Sequence, residues 1–526
     1  MRQGEEHSAN TGLDALQGPG VDDDSAPQQA SRHGASPHQA SPHNATPSDE
    51  SLAGSDVPER DIVGHEDDEH APDEPEPDET HEPDEPFSTD VAIEPLLDPD
   101  SVTDGFIEDA QRDTVELVAP AALINRVGRL ALSAGHGSYR VKNHMERVGS
   151  AIGLDAVRSS VSLTEIITTA WRGAMYRTTV TENRVTGINA DRLAELEHYV
   201  GGLPEQADMV DISDELDRIE AKPPLYPAWG NALAAGVACA AFAFLNHGGP
   251  VECVGVLIAA TVGQGIRHRM IRRGINQFGV TMLSAAVACS LYLLLVAFLG
   301  LFMANPAQHA AGYVAAILYL VPGFPLVTGA LDLARLDLTA GISRLTFALM
   351  ILGTSALSLW GVSQIVGLEP DPMQQTAGLP PELYWTLIAV ASFVGVAGFA
   401  IMFNSPWHAS FIAATIGMIA NTARLWSVDE LNIPTQAAAA GAALIVGLMA
   451  RSIATPAGVP RLVVSVPAVV IMVPGVMAYR GVFALNAGDF GEGLAFAVQA
   501  FLAVGGLAVG LAMARFFTDH EWTFED

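Results

Sequence analysis

Val321-Pro322-Gly323 is followed 152 positions later by Val473-Pro474-Gly475, and the correspondence runs on past these three residues. At the same offset Gly329 falls on Gly481, Leu333 on Leu485, Asp337 on Asp489 and Gly341 on Gly493. Both copies lie in long apolar stretches. A repeat inside a hydrophobic region is the usual sequence trace of a secondary transporter built from two related halves. A second echo pairs Ala260-Thr261-Val262-Gly263 with Ala414-Thr415-Ile416-Gly417, at an offset of 154, so a two-residue indel separates the two anchors.

Around these anchors the sequence predicts ten apolar stretches long enough, or nearly so, to cross a bilayer, which takes about 20 residues per helix. They fall near 229–246, 251–267, 278–302, 309–331, 340–366, 383–403, 408–423, 434–454, 462–485 and 491–516, the second and seventh being short. A soluble core is excluded, because so many apolar stretches would leave no polar exterior. The expected fold is an α-helical integral membrane protein with two five-helix repeats, 226–368 and 369–517. Five is odd, so the repeats must run through the membrane in opposite directions, the inverted arrangement that supports alternating access.

Charge divides the chain. The formal net charge is −33. Residues 1–117 hold 32 Asp and Glu against four Lys and Arg, a local balance of −28. The acidity describes a tail, not a nucleic-acid or membrane-surface partner. Runs such as Glu66-Asp67-Asp68-Glu69 and the Asp-Glu-Pro alternation of 72–86 offer no apolar surface to offset chain entropy, so 1–117 is expected to be disordered. His65, His70 and His81 lie among its carboxylates with no fixed ligand spacing. No basic region followed by an apolar core marks a signal peptide near Met1, which places the N-terminus in the cytoplasm. Cys239, Cys253 and Cys289 have no paired spacing and read as small buried residues.

Residues 118–225 differ from both neighbours. Leu123, Ile124, Val127, Leu130 and Ala131 recur at helical spacing, and Val141, Met145 and Val148 share one face of a helix over 138–152. Two β-like runs follow, 157–163 and 175–180. Asn189 is placed to cap a helix through His198, and 211–219 reads as another. The result is a small cytoplasmic α+β domain, ended by Lys222-Pro223-Pro224-Leu225-Tyr226-Pro227. Residues 518–526 form a short C-terminal tail.

Arginines orient the bundle. With the N-terminus inside, nine (Arg267, Arg269, Arg272, Arg273, Arg335, Arg344, Arg451, Arg461 and Arg515) fall in cytoplasmic loops and ends, against Arg424 and Arg480 outside. This fits the positive-inside rule and puts both termini in the cytoplasm.

The substrate is expected at the paired breaks. Pro322-Gly323 and Pro474-Gly475 fall inside the fourth and ninth spans, where lost donors and freed carbonyls near mid-membrane suit a zwitterion. A packing kink without ligand is the alternative. Asn276 and Asn421, each read as lying beyond the second helix of its half, would bind substrate or satisfy a loop end. Asp332, Asp337 and Asp489 are candidates for proton coupling, since a carboxylate near the membrane is costly. Asp337 and Asp489 also have the spacing of helix N-caps. Asp332 has no repeat partner, Ala484 standing in its place.

Leu132-Ser133-Ala134-Gly135-His136-Gly137-Ser138-Tyr139-Arg140-Val141, with Met145-Glu146-Arg147-Val148 and Ile152-Gly153-Leu154, resembles the opening motif of the threonine/serine exporter family. Gly187-Ile188-Asn189-Ala190-Asp191-Arg192-Leu193 and Pro223-Pro224-Leu225-Tyr226-Pro227-Ala228-Trp229 are similar to its next two signatures. The resemblance covers about residues 120–517; His136 stands where the family pattern has alanine. It implies export of L-threonine and L-serine from the cytoplasm across the plasma membrane, driven by the proton gradient. The implied partners are an amino acid, protons and the lipid bilayer, with no cofactor, no metal and no nucleic acid, and with room for a homo-oligomer. Relatives whose halves are separate chains are associated with dicarboxylate export, which keeps a succinate-like substrate open. The domain before the spans would regulate, or close the inner mouth. A hydrolase assembled from His136, Ser138, Asp155 and Glu165 lacks a nucleophile elbow or metal spacing. An uncoupled channel is the remaining class.

Overall fold

The computed structural model describes residues 116–183, 187–302, 306–367 and 379–519. Apart from its last two residues, the acidic tail of 1–117 with its histidines lies outside the described residues, as does the C-terminal tail from 520 onward.

The chain opens with α1 (Val118–Ala134) and α2 (Ser138–Ala151). The apolar positions at helical spacing face each other: Ile124, Val127, Ala131, Val141, Met145 and Val148 are all fully buried. The two helices come close at Gly128, where a Cβ would lie 2.5 Å from the Met145 sulfur. Three strands follow, β1 (Ala156–Val161), β2 (Glu165–Arg172) and β3 (Met175–Glu182), in an antiparallel meander. The sequence predicts two strands, and β2 is the addition. Its buried face is Ile166, Thr168 and Ala170. Thr168 is tolerated there because its hydroxyl donates to Asn125 Oδ1 at 2.8 Å, and that polar position hides the alternation. Helices α3 (Ala190–Gly201) and α4 (Met209–Ala221) close this part. Asn189 caps α3 as expected, its side chain accepting from the Arg192 N–H at 3.1 Å.

Eleven helices carry the apolar sequence: α5 (Ala228–Leu245), α6 (Pro250–Ile271), α7 (Gln277–Leu299), α8 (Gly323–Ala334), α9 (Leu338–Val366), α10 (Pro381–Met402), α11 (Trp407–Asp429), α12 (Thr435–Met449), α13 (Arg461–Val470), α14 (Gly475–Ala487) and α15 (Phe490–Thr518). Among the described residues, seven helices are long and apolar enough to cross a membrane, or nine if each of two bent pairs is one span. The chain is a multi-pass membrane protein. The stretch expected as a second span is α6, whose 22 residues are long enough but include Glu252, Arg267 and Arg269. It is not one of those nine.

The two bent pairs fall where proline and glycine predict them. Residues 311–320 meet α8 at 60°, and α13 meets α14 at 49°. The backbone is nearly superposable at the two breaks. Pro322 has φ −79° and ψ 57°, Pro474 φ −78° and ψ 58°. Both are inverse γ-turns, in which Gly323 N–H donates to the Val321 carbonyl and Gly475 N–H to that of Val473, each at 2.8 Å. The breaks also touch. A Cβ on Gly323 would lie 3.0 Å from Val470, and one on Gly475 3.0 Å from Leu318 and Val321. Helices α9 and α15 follow at the same offset, each with 29 residues. Before the breaks the halves differ: α13 is α-helical, whereas Pro306–Tyr313 and Ala315–Leu320 are 3₁₀ helices.

Several residues expected in loops lie inside helices. Asn421 and Arg424 are within α11 and Asn421 is fully buried, so Asn421 is not beyond the second helix of its half. Arg480 is within α14, and Arg344 is buried in the second turn of α9. A hydrophobic helix tolerates Asn421 and Arg344 because another helix supplies Ser392 and Asp332 as partners, which spacing along one chain does not reveal.

Candidate functional site

The break at Pro322 opens a cavity of about 160 Å³. The C-terminal end of the 3₁₀ segment Ala315–Leu320 and the N-terminal end of α8 meet here, so partial charges of opposite sign face one space. Helix α6 contributes Gln264 and Arg267, α7 contributes Gln277, and Tyr319, Thr328 and Arg344 complete the polar lining. Gln264 donates to Asn231 Oδ1 at 2.9 Å and accepts from Arg267 Nη1 at 3.4 Å. Arg267 Nε is buried with no hydrogen-bond partner, a donor available to an anionic group.

Arg344 joins this cavity to the N-terminal elements. Its Nε lies 3.2 Å from Asp332 Oδ2, and both residues are buried. Its Nη1 donates to Thr328 Oγ1 at 3.1 Å and its Nη2 to the His136 carbonyl at 2.6 Å. Asp332 in turn accepts from the Ser138 N–H at 3.1 Å and the Ser138 hydroxyl at 3.0 Å. Gly137 allows this approach, since its Cβ would sit 3.1 Å from Asp332 Oδ1. Lys142 donates to Asp337 Oδ2 at 2.5 Å, and Leu163 N–H donates to Ser343 Oγ at 3.1 Å. The turn Gly135–Ser138 and helix α2 therefore seat on the α8–α9 corner.

The other two signature stretches dock as well, on the loop after α10. Ala190 N–H donates to the Phe403 carbonyl at 2.9 Å, and Asn404 Nδ2 to Asn189 Oδ1 at 2.8 Å. Leu225 N–H donates to Asn404 Oδ1 at 2.9 Å and Tyr226 hydroxyl to the Ser405 carbonyl at 2.8 Å. Beneath this surface, burial and the nearby His136 push the His144 imidazole down to about 3, so it stays neutral.

A second cavity, of about 300 Å³, lies between α2, α3 and the ends of α8, α13 and α15. It is lined by Arg140, Arg335, Arg461 and Arg515, with Glu197, Asp332 and Asp519. Arg335 stacks on Tyr139, its guanidinium carbon 3.4 Å from the ring centroid.

The expected site residues divide accordingly. Pro322 and Gly323 line the smaller cavity, whereas Pro474 and Gly475 do not, Gly475 packing on Leu318 and Val321. Asn276 is an exposed cap of α7, accepting from the Phe278 N–H at 2.9 Å. Asn421 points to Ser392 Oγ at 2.9 Å and accepts from Arg424 Nε at 3.0 Å, away from the cavity. Asp332 lines the larger cavity. Asp337 and Asp489 both hold N-cap positions, but only Asp489 caps with its side chain, accepting from the Glu492 N–H at 3.0 Å. Gln264, Arg267 and Arg344 were not expected at the site. Their signal is a polar side chain recurring at i and i+3 in a helix, or an arginine amid Ile342, Leu345 and Phe347.

Comparison with known proteins agrees with this organisation. A threonine/serine exporter family model matches residues 122–366, and a second, described as threonine/serine exporter ThrE, matches 388–517. The chain is 26% identical over 404 residues to a protein of Mycobacterium tuberculosis named a probable threonine/serine exporter, covering 74% of this chain and 75% of that one. It is 24% identical over 408 residues to the threonine/serine exporter of Corynebacterium glutamicum, covering 75% and 81%. Over 263 residues it is 32% identical to YjjP of Klebsiella aerogenes, named a probable succinate transporter subunit, covering 48% of this chain and 98% of that one. No solved structure matches. The paired family models, together with the signature stretches seated on the α8–α9 and α10 corners, carry the conclusion that the chain belongs to the threonine/serine exporter family.

Proposed function

We propose that the chain exports L-threonine and L-serine from the cytoplasm across the plasma membrane in exchange for protons. The observation that carries this reading is the break at Pro322. There a zwitterion finds the α8 N-terminus and Arg267 for its carboxylate and the end of the 3₁₀ segment for its ammonium. Tyr319, Thr328 and Gln277 offer partners for a side-chain hydroxyl. In this reading α6 and both bent pairs span, giving ten spans in two inverted five-helix repeats, 226–368 and 369–517, with both termini cytoplasmic. Residues 118–225 are then a cytoplasmic domain over the inner mouth, and 1–117 a disordered tail. Asp332 and Asp337 are the favoured coupling groups on that side, each already facing a cation.

A second reading, export of a dicarboxylate such as succinate, is favoured by the four arginines of the larger cavity and by the name of the relative from Klebsiella. Flux into proteoliposomes separates the two. Labelled threonine and serine should accumulate when a pH gradient is imposed and not when it is collapsed, and succinate should not. Succinate accumulation without threonine accumulation selects the second reading, and flux indifferent to pH makes the protein an uncoupled channel.

A further inference from the structure

Glu252 and His309 form a pair that neither the family comparison nor the cavities account for. Glu252 is in the first turn of α6, and His309 is in the 3₁₀ helix Pro306–Tyr313, 57 residues away. His309 Nδ1 lies 2.6 Å from Glu252 Oε1. The Glu252 side chain is 9% exposed and the His309 side chain 22%, so the acid is enclosed and the imidazole reaches the surface. Glu252 Oε2 is buried without a hydrogen-bond partner. Tyr292 of α7 donates its hydroxyl to the His309 carbonyl at 2.6 Å, which fixes the backbone that carries the ring. Tyr292 and Cys253 are the other titratable groups that face the acid. Among the described residues His309 is the only cation within ion-pair distance of it.

Three features point from this pair to a task. First, it sits about 22 Å along α6 from Arg267, at 1.5 Å per residue, at the end of the helix remote from the docked N-terminal elements. Second, its histidine belongs to the first of two successive 3₁₀ helices, separated only by Val314, and the second of them leads into the Pro322 break. Such runs seldom exceed one turn, and a long one marks a segment able to change its winding. Third, the residue 152 positions after His309 is Arg461, which starts α13 and pairs with Asp519 at 3.7 Å on the side of the N-terminal elements. Arginine keeps its proton at every physiological pH, whereas histidine does not. At the offset of the breaks, histidine thus stands at one end of the bundle where arginine stands at the other.

We propose that Glu252 and His309 are the proton-binding site of the face remote from the N-terminal elements, and that their protonation sets the winding of the 3₁₀ segment before the substrate break. This rests on the proton-coupled reading above. With one proton the pair is held together by its short hydrogen bond. A second proton neutralises the carboxylate while the imidazolium stays charged, which removes the ion pair that ties the 3₁₀ helix Pro306–Tyr313 to α6. Loss of that proton restores it.

The test uses the full chain in proteoliposomes, with Glu252→Gln, His309→Gln and His309→Arg, the last copying Arg461. Two readouts are taken: exchange of labelled threonine at equal internal and external concentration, and accumulation under a gradient of one pH unit. One proton per substrate allows accumulation of at most about tenfold at that gradient. Wild type should approach that ratio. The three variants should exchange within about threefold of wild type yet accumulate to a ratio near one, and His309→Arg should exchange at a rate independent of external pH. Accumulation preserved in Glu252→Gln and His309→Gln overturns the site while leaving coupled export intact. Wild-type exchange that ignores the gradient overturns the coupled reading, and the site with it. Variants that neither exchange nor bind threonine, although monodisperse in detergent, also overturn the proposal, because they make the pair part of the scaffold.

Discussion

The two bent helix pairs share a backbone and differ in chemistry. Pro322 and Pro474 agree within a degree in φ and ψ, and the corners that follow repeat the same bonds: Asp337 N–H to the Asp332 carbonyl at 3.0 Å, and Asp489 N–H to the Ala484 carbonyl at 2.9 Å. Gly329 and Gly341 let α8 and α9 meet as Gly481 and Gly493 do for α14 and α15. The side chains between these fixed points diverge. Asp332 corresponds to Ala484, Arg344 to Phe496, Thr328 to Arg480 and Leu336 to Gly488. What the backbone needs to break and turn is the same at both places. The buried ion pair and the N-terminal signature that satisfies it belong to one half. The two breaks thus share a backbone device, and the unshared residues show which of them carries the buried ion pair.

The largest expected effect comes from erasing that difference. Arg344→Leu leaves Asp332 buried and without a cation, which should cost about 3–5 kcal/mol in thermal unfolding in detergent and abolish transport. The double variant Asp332→Ala/Arg344→Phe writes the second half's residues into the first. It removes the orphaned charge, so most of the stability should return, while transport stays lost. A double variant that transports normally would show that the polar load of the first break is dispensable.

Breaking the backbone that the halves share comes next. Pro322→Ala and Pro474→Ala each restore a backbone donor and free φ, at about 1 kcal/mol or less in stability. Symmetry alone predicts equal losses of transport. Because only the first break adjoins the 160 Å³ cavity and follows a 3₁₀ run, the loss should be larger for Pro322→Ala, measured as initial rates of threonine flux at equal membrane abundance. Equal losses would mean that the breaks act as a pair and not through the first cavity.

The carboxylates at the two corners give a smaller contrast. Asp489 is exposed and caps the Glu492 N–H, and asparagine caps about as well, so Asp489→Asn should change stability by only a few tenths of a kcal/mol. Asp337 does not cap. It faces Lys142, and Asp337→Asn gives up a partly buried ion pair worth about 1 kcal/mol. If Asp337 couples protons, its asparagine variant should exchange threonine yet fail to accumulate it under a pH gradient, while Asp489→Asn accumulates normally. Unchanged accumulation in both variants would leave Asp332 as the coupling group on the side of the N-terminal elements.

These contrasts also explain what the sequence could reveal. Repeated identities at one offset expose the breaks because proline and glycine act locally, through φ and a missing donor. The caps at Asn189 and Asp489 are local too, and spacing finds them. Ser138 and Asp332 are 194 residues apart, and His136 and Arg344 208, so the signature Gly135–Ser138 is readable as a motif but its partners are not. Arg344 and Arg424 read as charges at loops or span ends because a guanidinium in an apolar run looks like the end of a span. Only the fold shows Arg344 satisfied by Asp332 and Thr328 of α8 and Arg424 by Asn421 of its own helix. Strand β2 was hidden for the same reason, its buried Thr168 being paid for by Asn125 on another element.

The smallest effect tests the one place where the shared backbone is at odds with its residue. Leu336 has φ 59°, in the left-handed region, and its counterpart Gly488 has φ 88°. A β-carbon in that region costs about 1–2 kcal/mol, whereas glycine gives back about 0.5–1 kcal/mol through the freedom it adds to the unfolded chain. The Leu336 side chain is 78% exposed, so little packing is lost when it is removed. Leu336→Gly should therefore raise stability by at most about 1.5 kcal/mol, and Gly488→Leu should lower it by a similar amount. Both are read as thermal midpoints in one detergent. Transport sharpens the meaning. If Leu336→Gly stabilises the fold and leaves flux unchanged, the strained corner is a relic of the duplication that the exposed leucine merely tolerates. If it stabilises the fold and slows flux, the strain at the α8–α9 corner helps that corner move. The first half would then differ from the second in mobility as well as in charge.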